Sequence, residues 1–175
     1  NSYNIDLKKI NFSEDDFWKW IMFAAHKIDD PIADYAVLPA FKLASIASEN
    51  FKVAITGEGG DEIFGGYGRY KKTQRLFFRN QSFVPKGCFN QNKFKKFINW
   101  DYELKQINNY INSKDLSLLQ RFQIFDYYNW LPNNLLVKLD RCLMTFGMEG
   151  RTPFIDKVLF KKMFFFKDKE KINKG

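Results

Sequence analysis

The sequence predicts an α/β fold that is predominantly helical and contains one or two short strands. Apolar residues recur at helical spacing along much of the chain. Residues 52–56 are a short β-branched run that ends before a glycine, which predicts a buried strand. The 175 residues are 45% apolar and 18% aromatic, which favours a packed core and excludes general disorder. So few strands cannot make a whole parallel sheet, and we therefore expect part of a sheet domain.

The N-terminal part predicts a short edge strand followed by two helices. The strand would cover residues 3–7, where apolar and polar residues alternate weakly. Ser13 precedes three acidic residues, which predicts an N-cap and a helix that Pro31 stops. A second amphipathic helix is predicted for residues 34–48.

After the predicted strand, glycines divide the chain into short elements. Residues 57–60 must form a turn, because three of the four are glycine. A short helix is expected to begin at Asp61 and to be broken by the glycines at 65 and 66. Further helices are predicted for residues 67–78, 92–98 and 115–130.

The last third predicts two helices separated by an extended segment. Leu131 and Pro132 are expected to break the helix over 115–130, and Asn133 can cap a new helix over 134–146. Pro153 disfavours helix in the residue before it, so residues 151–154 should be extended. Asp156 can then cap a final helix that runs into a lysine-rich tail.

Composition excludes several classes of protein. No apolar run is long enough to span a bilayer. The two cysteines, Cys88 and Cys142, lie far apart and are interpreted as reduced thiols of a cytosolic protein. The single histidine, His26, has no partner for a histidine-based metal site. The net charge is +8, but the positive residues are scattered, so solvated lysines are favoured over a nucleic-acid site.

The segment with the clearest chemistry is residues 56–67, which read TGEGGDEIFGGY. Glycines allow the backbone to approach a ligand closely, and successive N–H groups at a helix start can bind an anion. The neighbouring carboxylates would repel a bare phosphate, and they fit a phosphate that Mg²⁺ bridges to them. The loop alone therefore predicts Mg²⁺-nucleotide or Mg²⁺-pyrophosphate binding, while a tight turn with solvated acids is the structural alternative.

Three further segments join this loop in one family pattern. Residues 131–141 read LPNNLLVKLDR and residues 149–156 read EGRTPFID, while Asp29, Asp30, Pro31 and Asp34 lie upstream of the loop. In this order, the four segments resemble those of the asparagine synthetases. In the loop, Thr56 replaces the usual serine. The resemblance covers most of the chain and thins between about residues 80 and 115.

The resemblance implies a partial asparagine synthetase domain over residues 1–175, with an adenine nucleotide α-hydrolase-like (ATP pyrophosphatase) fold. It implies ATP-dependent conversion of aspartate to asparagine through β-aspartyl-AMP, with ammonia derived from glutamine. ATP and Mg²⁺ are the implied cofactors and the cytoplasm the implied location. A homodimer fits this picture, whereas a membrane or a nucleic acid is not expected as a partner.

The resemblance also assigns roles to residues. It implies Thr56, Gly57, Gly59 and Gly60 as nucleotide-binding residues. Further, it implies Asp61 as a Mg²⁺ ligand, Glu58 as the acid tied to intermediate formation and amine deprotonation, and Lys138 as the lysine that stabilises developing charge. Structural roles are expected for Asp140, Arg141, Arg151 and Asp156.

Two parts of the family's machinery do not occur in the sequence. The first phosphate loop, Ser-Gly-Gly-x-Asp-Ser, is missing, and so is the glutaminase domain with its N-terminal cysteine. We therefore expect these 175 residues alone to be inactive.

Three other functions stay open at this stage. One is a related ATP-dependent amidotransferase or a β-lactam synthetase-like enzyme acting on another carboxylate. Another is a non-catalytic, basic helical module that binds nucleic acid. The third is a degenerate descendant of the family, and the presence of Glu58, Asp61 and Lys138 argues against it.

Overall fold

The structure is a computed structural model that describes residues 7–29, 32, 34–71, 73 and 102–172. The chain divides into two compact units. Unit 1 comprises Asn1–Ala54 and Lys138–Gly150, and unit 2 comprises Ile55–Val137 and Arg151–Gly175. The predicted edge strand over 3–7 reaches outside the described residues, and Pro31, Cys88 and the predicted helix over 92–98 lie wholly outside them.

Two helices lie near the start of unit 1, and the first has a side-chain cap. Helix α1 covers Glu14–Lys27 and begins with a capping box, in which the Asp16 N–H donates to Ser13 Oγ and the Ser13 N–H donates to the Asp16 carboxylate. The prediction of Ser13 as the N-cap is confirmed. Helix α2 covers Val37–Ala47 and starts later than predicted, because the Asp34 side chain first accepts a hydrogen bond from the Ala36 N–H and forms a turn.

Aromatic rings form the core of unit 1. Trp20 and Phe23 of α1 pack with Phe41 of α2 and with Phe146, with ring centroids 5.2 to 6.5 Å apart. A second cluster contains Ala44, Leu143 and Met148. Aromatic pairs at these distances add to the energy of burial, so these four rings stabilise the contact of α1 with α2 and with Phe146.

Two short parallel strands confirm the predicted strand content. Strand β1 covers Val53–Ile55 and pairs with β2, Glu149–Arg151. The Glu149 N–H donates to the Lys52 carbonyl and the Thr56 N–H to the Arg151 carbonyl, each at 2.8 Å. The prediction that β1 is buried was wrong, since Val53 is 45% and Ile55 79% exposed. Ala54 packs on the cluster of Ala44, Leu143 and Met148, whereas the opposite face of the strand, which carries Val53 and Ile55, is exposed.

The glycine-rich turn of unit 2 encloses a five-residue helix. Helix α3 covers Gly60–Phe64, between Gly59 at φ 90° and Gly65 at φ 74°, so the predicted short helix and its break are confirmed. Helix α4, Gly68–Lys71, is the described part of the predicted basic helix over 67–78. Helix α5, Tyr102–Asn112, was not predicted.

The helix after Ser117 corrects the prediction of a break at Leu131 and Pro132. Helix α6 covers Leu118–Phe125, a π-helix continues over Asp126–Leu136 with Pro132 inside it, and α7 follows at Val137–Met144. Asn133 therefore begins no new helix. The i→i+5 bonding of a π-helix widens the turn, so the proline ring is accommodated where an α-helix would clash.

The C-terminal segment confirms the predicted cap and corrects part of the extended stretch. Arg151 is in β2, but Pro153–Ile155 form a 3₁₀ turn, since proline is well suited to the first position of a helical turn. Asp156 accepts hydrogen bonds from the N–H groups of Val158 and Leu159 and caps α8, Lys157–Phe164. A short helix α9 follows at Asp168–Lys171.

Apolar residues from distant parts of the sequence form the core of unit 2. One cluster joins Ile111 of α5 with Ile124, Phe125 and Phe164. A second cluster consists of Tyr70, Leu119 and Ile172. Within the described ranges, no helix combines the length and the apolar character that a membrane crossing needs.

Candidate functional site

Thr56 and Gly57 lie where β1 ends. The Thr56 side-chain Oγ1 is buried and has no hydrogen-bond partner among the described residues. Gly57 is exposed, and a Cβ at this position would meet no atom within 4 Å. A buried hydroxyl without a partner is costly unless something satisfies it. Thr56 thus directly precedes an open position of the loop, and contact of these two residues with a nucleotide stays a prediction.

Gly59 and Gly60 have a structural reason to be glycine. A Cβ at Gly59 would lie 3.0 Å from the Ile155 side chain, and its φ of +90° is one that other residues rarely adopt. A Cβ at Gly60 would lie 3.3 Å from the Phe154 ring. Both glycines thus allow the 3₁₀ turn Pro153–Ile155 to pack on the loop, and their contact with a nucleotide stays a prediction.

Glu58 and Asp61 are the acids at the start of this loop and helix. Glu58 is half-buried between glycines, and Asp61 is exposed in the first turn of α3. A Cβ on Gly66 would lie 2.0 Å from Asp61 Oδ1, so the carboxylate folds across the glycine turn that ends α3. Glycine at position 66 therefore makes room for the Asp61 carboxylate.

The third acid of the loop region, Glu62, points into the protein. Its side chain is 0% exposed, and Oε1 accepts a 2.7 Å hydrogen bond from the Tyr67 hydroxyl. Oε2 is buried with no hydrogen-bond partner among the described residues. Burial raises the pKa of Glu62, although the hydrogen bond from Tyr67 partly opposes this.

Asp126 anchors the residues that follow the loop. This buried carboxylate accepts hydrogen bonds from the Tyr70 hydroxyl and from Arg69 Nη2, the latter at 2.6 Å. Burial raises the pKa of Asp126, against the opposing effect of these two donors. The network joins α4 to the π-helix and so fixes the chain that leaves the glycine-rich turn.

Lys138 is almost completely buried in unit 1. Its Nζ lies 2.7 Å from Asp34 Oδ2, and the side chains are only 10% and 19% exposed. Burial disfavours ionisation of Asp34, but hydrogen bonds from Lys138 and from the Ala36 N–H outweigh it and lower the pKa of that carboxyl. Lys138 is thus a positioned cation with its charge partner beside it.

A groove of about 690 Å³ adjoins this ion pair and is lined mainly by apolar side chains of α1 and α2. Asp34 and Asp29 are the charged residues of its lining. Arg141 holds Asp29 through two hydrogen bonds, at 2.6 and 3.2 Å, and also pairs with Asp140 at 2.9 Å. The structural ion pair expected for Asp140 and Arg141 is therefore present.

The chain matches the asparagine synthase family over residues 1–175. The chain belongs to that family. It is 27% identical over 173 residues to asparagine synthetase [glutamine-hydrolyzing] 1 of Bacillus subtilis, an alignment that covers 75% of this chain and 27% of the relative. It is 28% identical over 156 residues to putative asparagine synthetase [glutamine-hydrolyzing] 1 of Methanocaldococcus jannaschii, and this alignment covers 87% of this chain and 22% of the relative. The chain spans about a quarter of the length of these relatives. No solved structure matches it.

Within this member of the asparagine synthase family, the predicted site residues lie in two places. Six of them are the consecutive residues Thr56 to Asp61, which form a loop and the start of α3 in unit 2. The seventh, Lys138, lies in unit 1. The part of the chain that the structure describes holds no cluster of three or more His, Cys, Asp or Glu suited to a metal ion. Asp61 as a ligand of Mg²⁺ stays a prediction.

Sequence analysis gave no role to four polar residues that the structure places at or near these segments. They are Asp34, Glu62, Gln123 and Asp126. Asp34 and Glu62 lie within the family segments, and that position could have marked them as site residues. No feature of the sequence distinguished Gln123 or Asp126. Cys142 is buried, and burial raises the pKa of its thiol to about 12, as expected for an unreactive cysteine.

Proposed function

We propose that the protein of which this chain forms a part converts aspartate to asparagine at the expense of ATP. In this reaction an oxygen of the aspartate side-chain carboxylate forms a bond to the α-phosphorus of ATP, and the bond to pyrophosphate breaks. Ammonia then attacks the acyl carbon of β-aspartyl-AMP, AMP leaves, and a base takes up a proton from the nitrogen. Glutamine is the proposed source of ammonia, and an adenine nucleotide α-hydrolase-like fold is the proposed architecture.

The observation that supports this proposal most directly is the buried Thr56 hydroxyl. It lacks a hydrogen-bond partner among the described residues, and Thr56 directly precedes Gly57, at which a Cβ would meet no atom within 4 Å, at the end of a parallel strand. In α/β proteins, ligands bind at the carboxyl ends of parallel strands. A polar nucleotide group at Gly57 would supply the partner that this hydroxyl needs.

The other loop residues have distinct proposed roles. Glu58, half-buried in the loop, is the proposed base that accepts the proton from the attacking amine. Asp61 is exposed and could bind Mg²⁺, which would neutralise charge on the pyrophosphate. Gly59 and Gly60 would keep the loop backbone close to the nucleotide while packing on the 3₁₀ turn.

Lys138 is the proposed cation for charge that develops during activation of the carboxylate. Its ammonium is held by Asp34 at 2.7 Å, so it is already oriented before substrate binds. A fixed, desolvated cation of this kind stabilises a transition state more than a mobile surface lysine does, because little reorganisation is needed. We further propose a cytoplasmic location, a homodimeric parent protein and no activity for residues 1–175 alone.

The test is aspartate-dependent release of pyrophosphate from ATP by the complete parent protein. Thr56→Val removes the hydroxyl at nearly constant shape, and Thr56→Ser retains it. A lost hydrogen bond to a charged group costs about 1.5–3 kcal/mol, so Thr56→Val should lower kcat/KM for ATP by about 10- to 100-fold. Thr56→Ser should stay close to the wild type.

Two results would contradict the proposal. If wild-type activity requires a carboxylate other than aspartate, a related amide-forming ligase is the correct function. If the Val and Ser variants behave alike, the hydroxyl does not contact the nucleotide. Lys138→Ala in the same assay tests the proposed cation, and full activity in that variant would remove Lys138 from the site.

A further inference from the structure

Gln123 is a fully buried polar residue on α6 that contacts the glycine-rich segment. Its side chain is 0% exposed. The amide Nε2 donates to two carbonyl oxygens of α3, those of Glu62 at 2.7 Å and of Ile63 at 2.9 Å. Sixty residues separate Gln123 from these carbonyls in the chain. One side chain therefore satisfies two backbone acceptors of a helix that is only five residues long.

These two carbonyls are among those that a helix cannot satisfy by itself. The last carbonyls of any helix lack partners within it, and in α3 the Asp61 carbonyl accepts from the Gly65 and Gly66 N–H groups. The Glu62 and Ile63 carbonyls come next and accept from Gln123. Because a single helical turn is unstable in isolation, α3 depends on such tertiary contacts.

Lys171 determines which way the Gln123 amide points. Its Nζ donates to Gln123 Oε1 at 3.0 Å and to the Phe164 carbonyl at 2.7 Å. A lysine ammonium can only donate, so it must face the oxygen of the amide. The NH₂ group is thereby directed to the two α3 carbonyls, which can only accept.

The start of α3 is continuous with the proposed nucleotide loop. The Gly60 N–H donates to the Gly57 carbonyl, and the Ile63 N–H donates to the Gly59 carbonyl, each at 3.1 Å. A change at the C-terminal end of α3 would therefore disturb the backbone of residues 57–61. Glu58 and Asp61, the proposed base and metal ligand, are both in this stretch.

We propose that Gln123, oriented by Lys171, is a positioning residue that holds α3 and so fixes the loop carrying Glu58 and Asp61. This inference rests on the proposed function for its catalytic consequence. Its structural content, a tertiary cap on α3, can be measured without any activity.

The test compares two variants of the complete parent protein. Gln123→Met keeps the length of the side chain and removes the donor. Ile124→Ala is the matched control. Ile124 is the next residue along the chain and is also buried, but it packs in a different cluster, with Ile111 and Phe164. Both are examined by hydrogen exchange of the peptide that spans residues 57–66, and by the ATP dependence of pyrophosphate release.

Gln123→Met should accelerate exchange of the Ile63 and Gly65 amides by about tenfold or more, because α3 opens locally. It should also lower kcat and raise KM for ATP. Ile124→Ala should lower the melting temperature but keep wild-type exchange in 57–66 and wild-type kinetics below its transition. Unchanged exchange in Gln123→Met would overturn the inference, whatever the kinetics show.

Two further results separate the inference from the proposed function. If the wild type releases no pyrophosphate with aspartate, the proposed function fails, and exchange alone still decides whether Gln123 holds α3. If Gln123→Met does not fold, Lys171→Met replaces it, because the amide can then turn and present its oxygen to the carbonyls. Exchange in 57–66 should rise in Lys171→Met and return to normal in Lys171→Arg. No change in Lys171→Met would overturn the inference.

Discussion

The ion pair between Lys138 and Asp34 can be tested by removing one partner at a time and then both. The Nζ and Oδ2 atoms are 2.7 Å apart, and little of either side chain is exposed. At an effective dielectric constant of about 20, the attraction at this distance is about 6 kcal/mol before desolvation is subtracted. Desolvation of two charges removes much of this gain, so we expect a coupling free energy of about 1–3 kcal/mol.

Each single variant should lower the free energy of unfolding more than the double variant does. Lys138→Met leaves Asp34 without its lysine, and Asp34→Asn leaves a buried ammonium, so each should lower the free energy of unfolding by about 2–4 kcal/mol. The double variant should recover part of this loss, since it buries neither of the two charges. Urea unfolding of the four proteins gives the coupling directly.

The same pair predicts a dependence of stability on pH. The pKa of Asp34 is lowered in the folded protein, so its stabilising effect is complete above the unfolded pKa of about 3.9. It should disappear as the pH falls through the lower, folded pKa. A coupling below about 0.5 kcal/mol at pH 7, or the same pH dependence below pH 4 in Asp34→Asn, would refute this account of Lys138.

Two further predictions concern unit 2. Gly59→Ala should lower the free energy of unfolding by about 2 kcal/mol, because a Cβ there meets the Ile155 side chain and the backbone is left-handed, whereas Gly57→Ala should change it by less than about 0.5 kcal/mol. Equal effects in urea unfolding would contradict the packing described for the loop. Burial lowers the pKa of Lys171 from 10.5 to about 8. Between pH 8 and 10.5 the unfolded chain therefore binds more protons than the folded protein. The free energy of unfolding should then rise as the pH is raised from 8 to 10.5. Because solvent screens this half-buried lysine, the rise should stay at about 1–2 kcal/mol in total. It should be absent in Lys171→Met, and its persistence there would show that another group titrates.

Local signals in the sequence predicted many elements correctly. Ser13 and Asp156 were identified as helix caps, because a cap needs only a short polar side chain and the N–H groups two or three residues away. The short helix α3 was likewise predicted from the glycines on either side of it. The position of the candidate loop followed from residues 56–67 alone, since the whole segment is contiguous.

Predictions that depended on distant residues were less successful. Pro132 was expected to end a helix, but the chain continues through it as a π-helix. The strand over 53–55 was expected to be buried, but burial depends on what covers its faces, and its own residues carry no information on that. Both predictions were wrong, because the local pattern gives only a preference and the surrounding structure decided the outcome.

The sequence by itself determined the family, the helix caps at Ser13 and Asp156 and the residues of the candidate loop, because all of these depend on residue types at fixed, short spacings. Only the tertiary structure showed that Asp34 holds Lys138, that Gln123 caps α3, and that Gly59 and Gly60 accommodate the turn at Phe154. These contacts join residues 61 to 104 positions apart. Such contacts are set by how helices and loops pack, and no short-range pattern of residues encodes that packing.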